Sequence, residues 1–193
     1  EIVTAAIGGD KTQVILREQD LQAALPESER SGWSIVRIGP VTISPTNPDL
    51  LVIAAYAKHE RLQPTWPGRS YVFLFDRRSG VISLRLQSDV GSWFNFTDFS
   101  PDSRWLITSS SDFARFTWSL ILHDIGRSET RTLTSLSQAG YLHAFPEYEW
   151  SSNGQWLLVL DDGVLWLIAP DHDYQRTIVP QSPGCTLAAW VNT

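Results

Sequence analysis

Apolar runs of strand length, broken by tight polar turns, make up most of this chain, and almost no segment carries helical periodicity. Two stretches align residue by residue. Phe99–Thr108 ends one strand, turns through Pro101-Asp102 and starts an apolar strand; Trp150–Val159 does the same through Asn153-Gly154. A looser copy, Ile43–Val52, turns through Asn47-Pro48. Pro-Asp, Asn-Gly and Asn-Pro are turn-forming pairs because they preset or tolerate the dihedrals a tight reversal needs. A second pattern follows each copy: Tyr71–Asp76, Ser119–Asp124 and Trp166–Asp171 are apolar strands closed by an aspartate, and the aspartates recur at almost equal intervals. Beyond each lies another strand, at Val81–Leu86, Thr130–Leu133 and Arg176–Val179.

Each unit therefore predicts four strands, here called a, b, c and d. Strand b is apolar along most of its length, as in Leu157–Leu160, which fits a strand covered on both faces. The one exception to strand and turn is Asp20–Leu25, which fits a single helical turn inside a loop. Such units stacked side against side make an all-β β-propeller of about four four-stranded blades. The expected blades are 39–86, 92–133, 143–179, and 185–193 joined with 1–38. In the last of these, Thr186–Thr193 supplies a strand a with Trp190 in the place of Trp150. Ile2–Ile7 supplies strand b, Gln13–Arg17 strand c and Trp33–Ile38 strand d. One blade shared between the two termini removes an open sheet edge. A segment of a larger ring, or a ring shared by two chains, fits the same pattern.

At Ser100-Pro101-Asp102-Ser103, before a strand b, and at Phe75-Asp76, closing a strand c, the chain resembles WD40-like and TolB-type propeller repeats. His123-Asp124 holds the corresponding place in another blade, and the full Gly-His to Trp-Asp signature is absent. The resemblance implies a rigid disc whose loops bind proteins, peptides or small ligands; a fold alone does not choose among them.

Composition narrows the classes. The chain is 42% hydrophobic and 19% charged, which is globular and not disordered. A net charge of −6 opposes both nucleic-acid phosphates and anionic membrane surfaces. No apolar run is long enough to span a bilayer, so direct membrane insertion is not expected. Cys185 is the single cysteine, which excludes an internal disulfide and leaves the compartment open. The chain starts without Met and without a leader pattern, pointing to a processed chain or a piece of a longer one.

Candidate chemistry is sparse. Asp76, Asp124 and Asp171 are expected to open c–d turns and accept backbone N–H groups, not to act as paired acids. His59, His123, His143 and His172 show no metal spacing, and no nucleophile elbow or phosphate loop is present. No metal and no cofactor is expected. Asn95-Phe96-Thr97 is a glycosylation sequon inside a strand, where a glycan would not fit. Asp98, Glu147 and Glu149 lie on a strands, which line a propeller's channel, and are the residues a hydrolase reading would use. The b–c and d–a loops of a blade share one end of the disc. Those loops hold His59, Arg61, Trp66 and Arg69 in Tyr56–Ser70, and Asp112, Phe113 and Arg115 in Ser109–Phe116. Trp93, Tyr141 and His143 belong to the d–a connections. Trp and Arg are the usual interface anchors. The leading expectation is a non-catalytic scaffold with a protein partner, part of a larger protein or complex. A ligand or glycan binder is the alternative, and a hydrolase the least favoured.

Overall fold

A computed structural model describes residues 2–5, 12–61, 68–112, 115, 117–137, 147–161 and 164–180. Three four-stranded antiparallel sheets follow one another along the chain, each with its strands in sequence order. The first holds β3 (Trp33–Ile43), β4 (Leu50–His59), β5 (Arg69–Asp76) and β6 (Val81–Gln87). The second holds β7 (Ser92–Phe99), β8 (Trp105–Asp112), β9 (Thr117–Asp124) and β10 (Glu129–Ser137). The third holds β11 (Glu147–Trp150), β12 (Leu157–Asp161), β13 (Val164–Ala169) and β14 (Gln175–Ile178). Ahead of them, β1 (Ile2–Ala5) and β2 (Thr12–Leu16) form an antiparallel hairpin. Residues 2–5 and 12–16 were expected to be strands b and c of a closing blade; residues 185–193, its expected strand a, lie outside the described residues.

One boundary differs from the sequence reading. Trp33–Ile38 is not a strand d of a closing blade: it is the first half of β3 and pairs with β4, Trp33 opposite His59 and Ile35 opposite Ala57. Two register shifts let β3 run on, one between Ile35 and Arg37 and one between Ile38 and Val41. Pro40 falls in the second, on an edge strand where its missing N–H breaks no ladder. An irregular strand interrupted by Gly39-Pro40 reads from sequence as two, which is why the boundary was misplaced.

The sheets pack face to face. Val52, Val72, Leu74 and Leu86 of the first meet Phe94, Phe99 and Leu106 of the second. On its other face the second sheet places Trp105, Ile107, Leu120 and Leu122 against Trp150, Leu157, Val159 and Ile168 of the third. Strands β4 and β5 are covered on both faces, as their long apolar runs require, and β8 is covered likewise over Trp105–Ile107. Two short helices, α1 (Glu18–Ala23) and α2 (Glu27–Arg30), lie between β2 and β3. Leu21 and Leu25 pack onto the free face of the first sheet among Trp33, Ile35, Tyr71 and Phe73. The single helical turn expected at Asp20–Leu25 is thus part of a two-helix insert.

Candidate functional site

The a–b turns form one end of the molecule. In Ser100–Ser103 and Ser151–Gly154 the first serine accepts a backbone N–H across the turn, from Trp105 at 3.0 Å and Trp156 at 2.9 Å. The fourth position has positive φ in both, +61° at Ser103 and +72° at Gly154. Glycine tolerates that region freely and serine does not. Ser103 nevertheless sits where it joins two sheets: its hydroxyl accepts from Ser44 Oγ at 2.7 Å and from Thr46 N at 3.1 Å.

The c–d turns lie at the same end. Asp76 Oδ1 accepts the N–H groups of Arg78 at 2.8 Å and Ser79 at 3.3 Å. Asp124 Oδ1 accepts those of Gly126 and Arg127, each at 2.9 Å. Asp171 differs. In the ladder Asp76 opposes Leu50 and Asp124 opposes Trp105, whereas β13 ends at Ala169 and Asp171 falls within the turn. Its carboxylate receives Arg104 of the second sheet. Arg104 also lies 3.5 Å from the buried Asp124 Oδ2, an ion-pair distance without hydrogen-bond geometry, and covers the Trp105 ring.

At the opposite end stand the b–c and d–a loops, where the interaction residues were sought. The expected loop Tyr56–Ser70 is shorter, because β4 runs to His59 and β5 starts at Arg69. His59 packs edge-on to Trp33 and accepts the Arg61 N–H at 3.1 Å. A methyl group on Gly32 would stand 2.7 Å from His59 Nε2, so this close approach depends on glycine. Arg69 stacks over Trp33 and donates to Glu29 of α2 at 2.8 Å. Tyr71 donates to the same Glu29 oxygen at 2.8 Å. Burial works to raise the Glu29 carboxyl, but the hydrogen bonds from Tyr71 and Arg69 outweigh it and hold the group below its ordinary value. His59 and Arg69 therefore secure the insert within the molecule, while Arg61 is exposed. Trp93 lies in β7 with its ring 4.8 Å from Tyr56. Trp66, Phe113, Tyr141 and His143 lie outside the described residues.

The second sheet's b–c loop does meet a d–a connection. Asp112 accepts from Arg115 N at 3.0 Å and from its guanidinium at 3.3 Å. Together with Ser88 and Asp89 they border a cleft of about 370 Å³ between the first and second sheets. Leu86, Phe94 and Ile121 form its apolar floor. Its wall is hydroxylic: Ser110, Ser119 and Thr132 come from adjacent strands β8, β9 and β10, and Ser92 from β7. Ser92 is 5% exposed. Sequence reasoning passed over these residues. Their signal was available, since Ser110 and Asp112, Thr117 and Ser119, and Thr130 and Thr132 each share a face by period two.

On the inner strands, burial raises the Asp98 carboxyl, which accepts the Phe99 N–H at 2.8 Å. Tyr148 of β11 stacks on Phe96 and is itself raised by burial and by the charges of Asp98 and Glu149. Glu147 lies in β11, but its side chain is outside the described set. Asn95 donates its amide to Ser111 Oγ at 2.6 Å. Among the described residues no three His, Cys, Asp or Glu side chains converge as a metal site.

No protein-family model matches the chain, and no curated protein matches it. Solved structures do. The β-propeller domain of the Trilobed protease from Pyrococcus furiosus superposes with a TM-score of 0.53 at 7% identity, over 76% of this chain and 44% of that one. Dipeptidyl peptidase 4 from Porphyromonas gingivalis gives 0.53 at 6% identity, over 74% and 24%. TolB from Acinetobacter baumannii gives 0.43 at 14%, over 72% and 31%. This chain thus spans less than half the length of each. The first two likenesses show the fold: a β-propeller-type arrangement of four-stranded blades.

Proposed function

We propose that the chain is a non-catalytic propeller scaffold of the WD40-like or TolB-type kind that binds a protein partner through the end bearing its b–c and d–a loops. It works as part of a larger protein or complex. One observation carries the reading: at that end the Asp112–Arg115 loop of one blade meets the Ser88–Asp89 connection from the blade before it. Rigid sheets hold both loops, the arrangement in which loops acquire binding roles. Arg115 is 73% exposed and partly fixed by Asp112, and Arg61 is exposed on the neighbouring loop. Arginines of that kind serve as interface anchors. The opposite end has its turn carboxylates committed to backbone N–H groups and Arg104, which leaves them less to offer.

Photo-crosslinking groups placed at Arg61 and Arg115, and for comparison at Arg78 and Arg127, test the choice of end. Partner adducts are expected at the first pair. Adducts confined to the second pair overturn the reading. So does unchanged partner recovery by a chain carrying Arg61→Ala with Arg115→Ala, for which a loss of about tenfold is expected.

A further inference from the structure

The cleft between the first and second blades differs from the rest of the inter-blade packing. Along β8 the apolar contact of Leu106 with the first sheet gives way to Ser110 and Asp112 at the cleft. Ser92, 5% exposed, borders the opening, and Ser110 and Thr132 add hydroxyls from neighbouring strands. The volume of about 370 Å³ falls within the range of small-molecule sites.

We infer that this cleft is a binding site for a neutral saccharide of one or two rings. Hydroxyls both donate and accept, so a wall of them matches a ligand whose own hydroxyls do both. Leu86, Phe94 and Ile121 offer the apolar floor that the C–H face of a sugar ring needs. Charge argues against an anion. Arg115, the sole cation among the described lining residues, is already held by Asp112, and Asp89 adds a negative charge at the rim. A phosphate or uronate would meet no free cation there. The site rests on the strand walls and not on the protein-partner reading, so the two stand or fall separately.

The test is titration of the full chain with glucose, galactose, mannose, maltose and cellobiose by calorimetry and saturation-transfer NMR. Glucuronate serves as the anionic comparison and triethylene glycol as the non-specific one. At least one neutral sugar is expected to saturate, more tightly than either comparison. Thr132→Val, which replaces a hydroxyl by a methyl at nearly constant shape, is expected to weaken it by about tenfold, and Ser110→Ala similarly. Arg78→Ala, at the opposite end, should leave it unchanged. The proposal is overturned if no neutral sugar gives a saturable signal, if glucuronate or the glycol binds as well, or if Thr132→Val and Ser110→Ala, folded by circular dichroism, bind as the parent does.

Discussion

His123 shows how one residue can serve a turn-forming repeat and still carry a cost. It stands beside Asp124, and its ring is 1% exposed, with Nδ1 2.8 Å from Thr130 Oγ1. Its Nε2 has no hydrogen-bond partner. Burial, and then the charge of Arg85, hold its pKa below the ordinary 6.5, only partly opposed by Asp124. The unfolded chain therefore takes up the proton more readily than the folded one. His123 contributes its stability in full above pH 6.5 and loses it as pH falls toward the lower folded value. Thermal melts at about pH 7.5 and about pH 5.5 should show a lower Tm in acid, with the difference reduced in His123→Gln. The place of His123 before a repeat Asp was legible in the sequence; its burial and the approach of Arg85 from the preceding blade were not.

The insert between β2 and β3 is the element whose role was least legible. A helical turn could be read from Asp20–Leu25, but its destination could not, since nothing local says which sheet it covers. In the fold Leu21 is fully buried, and Gln22 offers its amide to the edge of β3, donating to Trp33 O and accepting from Ile35 N, both at 2.7 Å. That side chain occupies an edge which would otherwise present unpaired backbone groups. Glu29 completes the attachment through Arg69 and Tyr71. Leu21→Ala is expected to cost about 2–4 kcal/mol in denaturant unfolding, the cost of a core truncation. Amide exchange should rise first over residues 18–32, while the third sheet stays protected. Uniform loss of protection across all sheets would show that the insert belongs to the global folding unit and is not an attached cover.

Across the whole molecule, neighbouring blades are tied at their rims as well as through their cores. Arg85 of β6 reaches Ser128 in the second sheet's c–d turn, and Arg131 of β10 reaches Asp173 in the third sheet's. Arg104 spans from the second sheet to Asp171 while lying beside the buried Asp124. The two carboxylates are unequal: Asp124 is 2% exposed and Asp171 39%. Removing a cation from a buried charge costs more than losing an exposed pair, which is worth only about 0–1 kcal/mol. Arg104→Ala should therefore destabilise the chain by clearly more than Asp171→Ala does, measured in urea, and added salt should shrink the second effect by the larger fraction. Equal losses would mean that Asp124 does not depend on Arg104. Trp156, at the repeat position of Trp105, is 37% exposed where Trp105 is 2%. The difference tracks its cover, for Trp105 lies beneath Arg104 and against Tyr174 of the next blade.

Read alone, the order of residues determined most of the strands, because alternation, apolar runs and turn pairs act over a few residues and recur in each unit. It located the Asp76 and Asp124 turns for the same reason. Only the tertiary structure decided that Trp33–Ile38 begins a blade, that Asp171 pairs across sheets, and that His59 and Arg69 hold the insert in place. The hydroxyls of Ser92, Ser110 and Thr132 look like ordinary strand residues in the chain, and become a wall only when two sheets diverge around them. Local propensity is written in neighbours along the chain. Which faces meet, and where they part to leave a cleft, depends on side chains brought together from distant positions.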